Sequence, residues 1–417
     1  MTYAQDPPLA FPSAEGFGKF SSGGRGGRVI EVTTLNCSGP GSFVDALQAS
    51  GPRTIVFRVG GVIDCSNHQD LNVTNPYLTI AGQTAPGDGI LVKGLSLGVS
   101  AHDTIIRYMQ FRLGEQLAPG VDAATANALM IMYTHDVIVD HVSASWAPDD
   151  TTGAYEADNT TWQRSIISEG LHCAVPANSY CHGEGLGVGY NSPVKVSIHH
   201  NLLANTPSRN PIVGTGLVDL INNVMHNVGD APHMQPFYAP VKLNFVGNYY
   251  SVGPDSNTGR SPIWFQGEKV AKFAPQSLAF VNGNIHPQYR PNNSRPELDI
   301  VYFSDGPSNI PTTTTRIPTM SYPSETDAFN AYNNVLADVG NNRRLNGDGT
   351  FSPRLGPVDT RIINEVKTGR GQIVFNSVNE VGGFPVLQNG TPYPDADHDG
   401  MSDVWEDKYG FNKGNST

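Results

Sequence analysis

The chain has 417 residues, 38% hydrophobic and only 15% charged, with 45 Gly and 31 Pro. A net charge of −12 argues against nucleic acid as a partner, since phosphate binding needs surplus Lys and Arg, although bound metal can supply positive charge locally to a polyanion. No apolar run reaches the roughly 18 residues of a membrane span, and scarce charge with abundant Gly, Asn, Ser and Thr favours turns and short strands over helices.

The N-terminus, "MTYAQDPPLAFP", lacks the charged-then-apolar pattern of a signal peptide and reads as an initiator Met on a matured chain, with export as its context. Triplets N-x-S/T at Asn36, Asn72, Asn159, Asn292, Asn389 and Asn415 are compatible with secretion but common in any Asn-rich chain. Cys37, Cys65, Cys173 and Cys181 match no zinc spacing. Two local disulfides, Cys37–Cys65 and Cys173–Cys181, are the economical pairing, and the sequence does not choose among the alternatives.

From about residue 54 onward, β-branched runs recur between Gly, Asn and Asp: "TIVFRVGGVI", "LTIAGQTA", "GILVKGLSL", "TIIRYMQFRL", "VIVDHVSASW", "TWQRSIIS", "VKVSIHHNLLA", "LVDLINNVMHNV", "VKLNFVGNYYSV" and "LAFVNGNI". Each predicts a strand of about 5–7 residues. One element repeats in register: Asn201, Asn223, Asn248 and Asn284 each stand beside a hydrophobic pair, 22, 25 and 36 residues apart. Repeats in the low twenties, lengthened by loops, predict an all-β fold: a right-handed single-stranded parallel β-helix with projecting loops and an irregular C-terminal extension. In such a solenoid a corner Asn tolerates the left-handed conformation, and its amide bonds the Asn above and below, so these four are scaffold. Loops at roughly 113–130, 147–162 and 169–192 project from one side, where function tends to sit.

This divides the chain into a β-helix over 1–300, a wrap or linker with a short helix over 301–394, and a calcium-binding tail over 395–417. "SETDAFNAYNNVLADVG" predicts the helix, with Ser324 as N-cap and Gly340 as stop. "DADHDGMSDVWE" matches an EF-hand-type loop: Asp395, Asp397 and Asp399 at positions one, three and five, Gly400 for the turn, Asp403 at nine and Glu406 at twelve. Such crowded carboxylates repel unless a hard cation sits among them. A solvated acidic turn is the plain alternative.

Asp122 and the pair Asp149/Asp150 lie one coil apart, which brings three carboxylates to one face as a second calcium site, unless they are ordinary loop acids. Arg209, in "SIHHNLLANTPSRNP", is delivered at the end of a strand as a binding cation or as chemistry. His199 and His200 alternate faces, so at most one reaches a cleft. His182 is a candidate acid or base, or a structural hydrogen-bonding residue. Arg107 and Arg112 lie near the same face, with Arg112 a candidate for the substrate or calcium site.

The segments "AFPSAEGFGKFSSGGRGGRVIEVTTLNCSGPGSFVDAL", "GPRTIVFRVGGVID", "LTIAGQTAPGDGI", "IIRYMQFRLGE", "VDHVSASW" and "HHNLLANTPSRNP" together resemble the secreted pectate lyases of polysaccharide lyase family 1, in the family's order, over roughly residues 10–290. The resemblance implies a parallel β-helix, calcium, and cleavage of α-1,4-galacturonan (pectate or pectin) by β-elimination. It also implies Arg209 as the base that abstracts the C5 proton, and Asp149, Asp150 and Asp122 as calcium ligands, with Asn127 where a further acid is expected. Two departures stand out. Glu184, in "HGEG" with His182, replaces a lysine that binds substrate carboxylate, and Ile212 and Val213 stand where a second arginine is common. Losing two cations points toward partly esterified pectin, another uronan or reduced activity. The expectation is a secreted, monomeric enzyme on acidic plant cell-wall polysaccharide, without nucleic-acid or membrane partners. A polygalacturonase-like β-helix hydrolase, which needs paired carboxylates as acid and base, and a non-catalytic carbohydrate-binding solenoid are its competitors.

Overall fold

The structure, a computed structural model, describes residues 7–174, 181–189, 191–230, 232–257, 262–306, 310–319 and 322–415. The N-terminal Met, the middle of the 169–192 loop and parts of the Pro/Thr-rich segment fall outside these.

Parallel strands wind into coils with three faces. The first face runs from Arg28–Val32 and Arg53–Phe57 to Leu278–Asn282, and the second from Gly61–Asp64 to Tyr249–Ser251. The third runs from Leu71–Val73 to Val301–Phe303. Two long strands, Leu129–Asp140 and Asp150–Gln163, turn a corner and belong to the third face at their start and the first at their end. The 147–162 stretch is therefore mostly strand, not the loop its polar composition predicts. Its Asn, Asp and Thr residues are tolerated because the parallel partners on both sides satisfy the backbone.

Register explains why this sequence winds. Ile30, Ile55, Ile80, Ile106, Val139, Trp162, Ile198, Leu220, Phe245 and Val281 pair one above the next without interruption and point into the coil. Burying each such side chain contributes about 1.5–3 kcal/mol, and a slip of one residue turns the whole column outward. Motifs such as "TIVFRVGGVI" and "TIIRYMQFRL" each hold two strands around a corner, Arg53–Phe57 with Gly61–Asp64 and Thr104–Arg107 with Gln110–Arg112.

The asparagine ladder forms as its spacing predicts: Asn201 donates to Asn223 at 3.0 Å, Asn223 to Asn248 at 3.1 Å and Asn248 to Asn284 at 2.9 Å. The left-handed residue is a different one, however. Positive φ belongs to the preceding position, His200, Asn222, Gly247 and Gly283 in turn. The ladder Asn turns its amide inward because its neighbour makes the corner.

Beyond the last coil the chain doubles back along the second face. Its first helix is Ala328–Ala337, capped by Asp327 rather than Ser324, because the Asp327 carboxylate accepts from the N–H groups of Phe329 and Asn330 at 3.0 Å each. A second helix, Pro357–Thr368, has no forecast in the sequence pattern. Together they bury Val335, Leu336, Val358, Ile362 and Val366 against Trp146, Ile166, Leu202 and Val224. Both local disulfides, Cys37–Cys65 and Cys173–Cys181, are present. No helix is long and apolar enough to cross a membrane among the described residues.

Candidate active site

The excursions 113–128 and 169–183 leave the coil between its second and third faces, and the shorter connections 146–149 and 205–211 run there too, so residues at the entry to the third face share one cleft. Asp150 opens the strand Asp150–Gln163 and is the direct register partner of Glu184 at the head of Glu184–Gly189. Like charges at paired positions repel. The next coil supplies the counter-charge: Arg209 Nη1 lies 2.9 Å from Asp150 and its Nε 2.5 Å from Glu184. Arg209 is held there by its own backbone, whose carbonyl accepts from Leu186 N–H at 2.7 Å, while the Ser208 carbonyl accepts from Gly185 N–H at 2.9 Å. A Cβ on Gly185 would meet the Arg209 carbonyl oxygen at 2.5 Å, so the close approach requires glycine. Arg209 itself has φ +52°, a left-handed conformation of the kind stored at functional sites.

Around this pair the Tyr155 hydroxyl donates to Asp150 and lies 3.4 Å from Arg209 Nη1, and the Ser208 hydroxyl donates to Glu184 at 2.9 Å. His182 Nδ1 lies 3.2 Å from Asp149 Oδ1. Asp149, His182 and Glu184 bring their ligand atoms within 4.8 Å of one another. Burial first, then the charge of Asp150, pushes the Asp149 carboxyl up to about 6. Burial also raises Glu184, against the opposing pull of Arg209 and with Asp150 adding to the shift. Arg209 moves the other way from what burial alone would do: Asp150, Tyr155, Glu184 and Asp149 hold its guanidinium above its ordinary value. Asp150 keeps one buried oxygen, Oδ1, without a hydrogen-bond partner. An oxygen-rich set of three acids with such a free oxygen fits a hard divalent cation.

The structure thus brings Asp149, Asp150, His182, Glu184 and Arg209 together. Asp122 is elsewhere in its contacts: its carboxylate accepts from Ala124 N–H at 3.0 Å, capping the turn Ala123–Thr125, and its charge adds to the burial that raises Asp70. Asn127 is buried and donates to the Thr125 carbonyl at 2.8 Å. Arg112 does not reach the cleft. It is 1% exposed beneath the helix Pro357–Thr368, paired with Asp359 at 2.6 Å, and Asp359 also accepts from the Ser143 hydroxyl at 2.6 Å. Arg107 pairs with Asp140 at 2.7 Å, and His199 and His200 are buried.

Two hollows flank Arg209. One, of about 480 Å³, is bordered by His172, His182, Glu184, Ser208, Asp230 and Asp255. The other, of about 250 Å³, is bordered by Tyr155, Val188, Ile212, Gln235, Phe237 and Tyr238. Tyr155, Phe237 and Tyr238 are missed by sequence reasoning: Tyr155 reaches Arg209 from the neighbouring coil, and Phe237 and Tyr238 border the same hollow from the loop after the strand His233–Met234, with no motif to mark any of them.

In the tail, Asp395, Asp397 and Asp399 offer ligand atoms within 4.8 Å of one another, and Gly400 makes the turn with φ +87°. One oxygen each of Asp395, Asp397 and Glu406 is buried without a hydrogen-bond partner, so this donor set also fits a hard cation. Asp403 Oδ1 accepts from Ala396 N–H at 2.8 Å. The loop docks on the first coil, where Arg58 donates to the Tyr393 carbonyl at 2.8 Å and His398 lies 3.0 Å from Glu31.

No family model matches the chain. A probable pectate lyase C of Aspergillus terreus is 33% identical over 416 residues, covering 96% of this chain and 88% of that protein. The probable pectate lyase C of Emericella nidulans is 33% identical over 409 residues, covering 96% and 86%. Among solved structures, a pectate lyase from Bacillus sp. N165 in complex with trigalacturonate matches with a TM-score of 0.53 at 18% identity, covering 78% of this chain and 98% of that one. That likeness is one of fold.

Proposed function

This chain belongs to the pectate lyase family, and from that premise we propose that it cleaves α-1,4-galacturonan by β-elimination at the Arg209 cleft. The observation that carries the proposal is Arg209 held between the register partners Asp150 and Glu184, with an oxygen of Asp150 left open. In the elimination the C5–H bond gives its proton to a base, its electron pair forms the C4=C5 double bond, and the C4–O4 bond breaks with its pair leaving on O4, which takes a proton from water to become a hydroxyl while the base returns its own proton to solvent. No oxidant or reductant is needed.

Arg209 is the base in this reading. Its unperturbed pKa lies above about 12, and Asp150, Tyr155, Glu184 and Asp149 raise it further, so among them the guanidinium is protonated and has no lone pair for the C5 proton. A cation held by those acids would have to offset their charge and depress Arg209 far below its ordinary value before its neutral form accepts the C5 proton. Asp149, Asp150 and Glu184 are the residues that would hold calcium, with Asp122 as a further candidate. Calcium bound there supplies charge neutralisation for the substrate carboxylate and for the enolate-like electron density at C6. His182 orients Asp149. The tail acids Asp395, Asp397, Asp399, Asp403 and Glu406 form a second calcium site of structural purpose, pinning the C-terminus to the first coil. Two disulfides support action outside the cell, and we take the working form to be a single chain.

Incubation with polygalacturonate and with pectin, each with and without chelator, tests this. The expected result is growth of the unsaturated-uronide absorbance that chelation abolishes. New reducing ends without that absorbance would mean hydrolysis and would sink the proposal.

A further inference from the structure

The two hollows beside Arg209 differ in kind. The larger gathers three acids and two imidazoles, Glu184, Asp230, Asp255, His172 and His182, with Ile373 and Phe375 beside them. In the smaller, Arg209 is the sole charged side chain among the described residues that line it, and its charge is already matched by Asp150 and Glu184. The remaining side chains are Tyr155, Val188, Ile212, the neutral amide of Gln235 and the pair Phe237/Tyr238. Those two rings stand edge to face at 5.1 Å and are 46% and 38% exposed. Single exposed aromatics need no explanation, but two adjacent ones forming a wall of the catalytic hollow do.

An ionised galacturonate entering this lobe would give up its hydration for one cation that is already paired, a net cost. A methyl-esterified residue carries no charge there. Its ester methyl finds apolar contact at Ile212 and Val188, and the C–H face of its ring finds aromatic surface. Position 212 sits in the strand Ile212–Val213, register partner of both Gly187 and His233, so its side chain is fixed by the ladder on either side.

We propose that this lobe is an ester-selecting subsite, and that Phe237, Tyr238 and Ile212 set a preference for partly methyl-esterified pectin over fully ionised polygalacturonate. The inference rests on the lyase reading of the Arg209 cleft for its place in the reaction. The lobe's chemistry stands by itself.

The test compares polygalacturonate with pectins of graded methyl-esterification at fixed calcium, using wild type, the double variant Phe237→Ala/Tyr238→Ala, and Ile212→Arg. Wild type should show kcat/KM about 10-fold higher on partly esterified pectin, the scale of one well-placed apolar group. The double variant should bring that ratio close to one, and Ile212→Arg should reverse it. Thermal melting confirms that each variant is folded. A wild-type preference for polygalacturonate, or a preference that survives the double variant, overturns the inference and leaves the lyase reading standing. Retardation of the same proteins in gels cast with esterified or de-esterified pectin provides a readout without turnover. Should no substrate yield unsaturated product, the lyase reading fails. Selective retardation by esterified pectin, lost in the double variant, would still support the lobe, and equal or stronger retardation by de-esterified pectin would overturn it.

Discussion

Arg112 beneath the helix Pro357–Thr368 and Arg209 at the mouth of the third face are both gripped by carboxylates, at 2.6 Å from Asp359 and 2.9 Å from Asp150. Around Arg112 the pair is sealed from solvent: Asp359 uses one oxygen for the guanidinium and the other for Ser143, and both side chains are fully buried, with Arg112 Nε left without a hydrogen-bond partner. Around Arg209 it is open. Its side chain is 27% exposed, two acids compete for it, and Asp150 retains an oxygen with no hydrogen-bond partner. A fully buried ion pair whose two carboxylate oxygens are both engaged fastens one layer to another; a crowded, partly exposed one whose acids keep an unpaired oxygen is suited to take a cation and a substrate.

The comparison breaks if the two arginines can exchange consequences. Arg209→Lys keeps a cation between Asp150 and Glu184 but loses the planar guanidinium. It should lower turnover by about 100-fold or more while thermal melting stays near wild type. Arg112→Ala should do the reverse, costing about 3–5 kcal/mol in denaturant unfolding because Asp359 is left buried and unpaired, with turnover per folded molecule retained. Within the scaffold, Asn223→Ala interrupts the ladder in both directions and should cost about 1–3 kcal/mol, since the Asn201 N–H and side-chain amide lose their acceptor and Asn248 Oδ1 loses the Asn223 side-chain donor.

Asp219 is an intermediate case, a buried acid whose side-chain partner is the neutral amide of Asn244 at 2.8 Å. Burial pushes it up to about 6 from an ordinary 3.8, with Asn244 and Arg316 opposing. The unfolded chain loses this proton first. Stability should therefore fall as pH rises from about 4 to about 6. Asp219→Asn should flatten that slope in urea titrations; an unchanged slope would assign it to other groups.

The coil was legible because its signal is local and repeated: β-branched runs, corner residues and the spacing of Asn201, Asn223, Asn248 and Asn284. Arg209, Asp149 and Asp150 were legible through the resemblance, and the tail loop through its own spacing. Three things were hidden. Whether Arg112 faces cleft or core depends on a helix some 250 residues later, Pro357–Thr368, whose Asp359 claims it. Tyr155 sits in a stretch whose polarity mimics a loop and becomes a strand only through its parallel neighbours. Glu184 reads in sequence as a lost cation, whereas register makes it the partner of Asp150 and the second grip on Arg209.

The most direct measurement is the mass of the oligosaccharides released from polygalacturonate or pectin by wild type and by Arg209→Ala. The account predicts, for wild type, products of which one end is lighter than a hydrolysis product by one water, carrying the C4=C5 double bond, and for the variant almost none. Products at the hydrolytic mass, or unsaturated products formed as fast by Arg209→Ala, would contradict it.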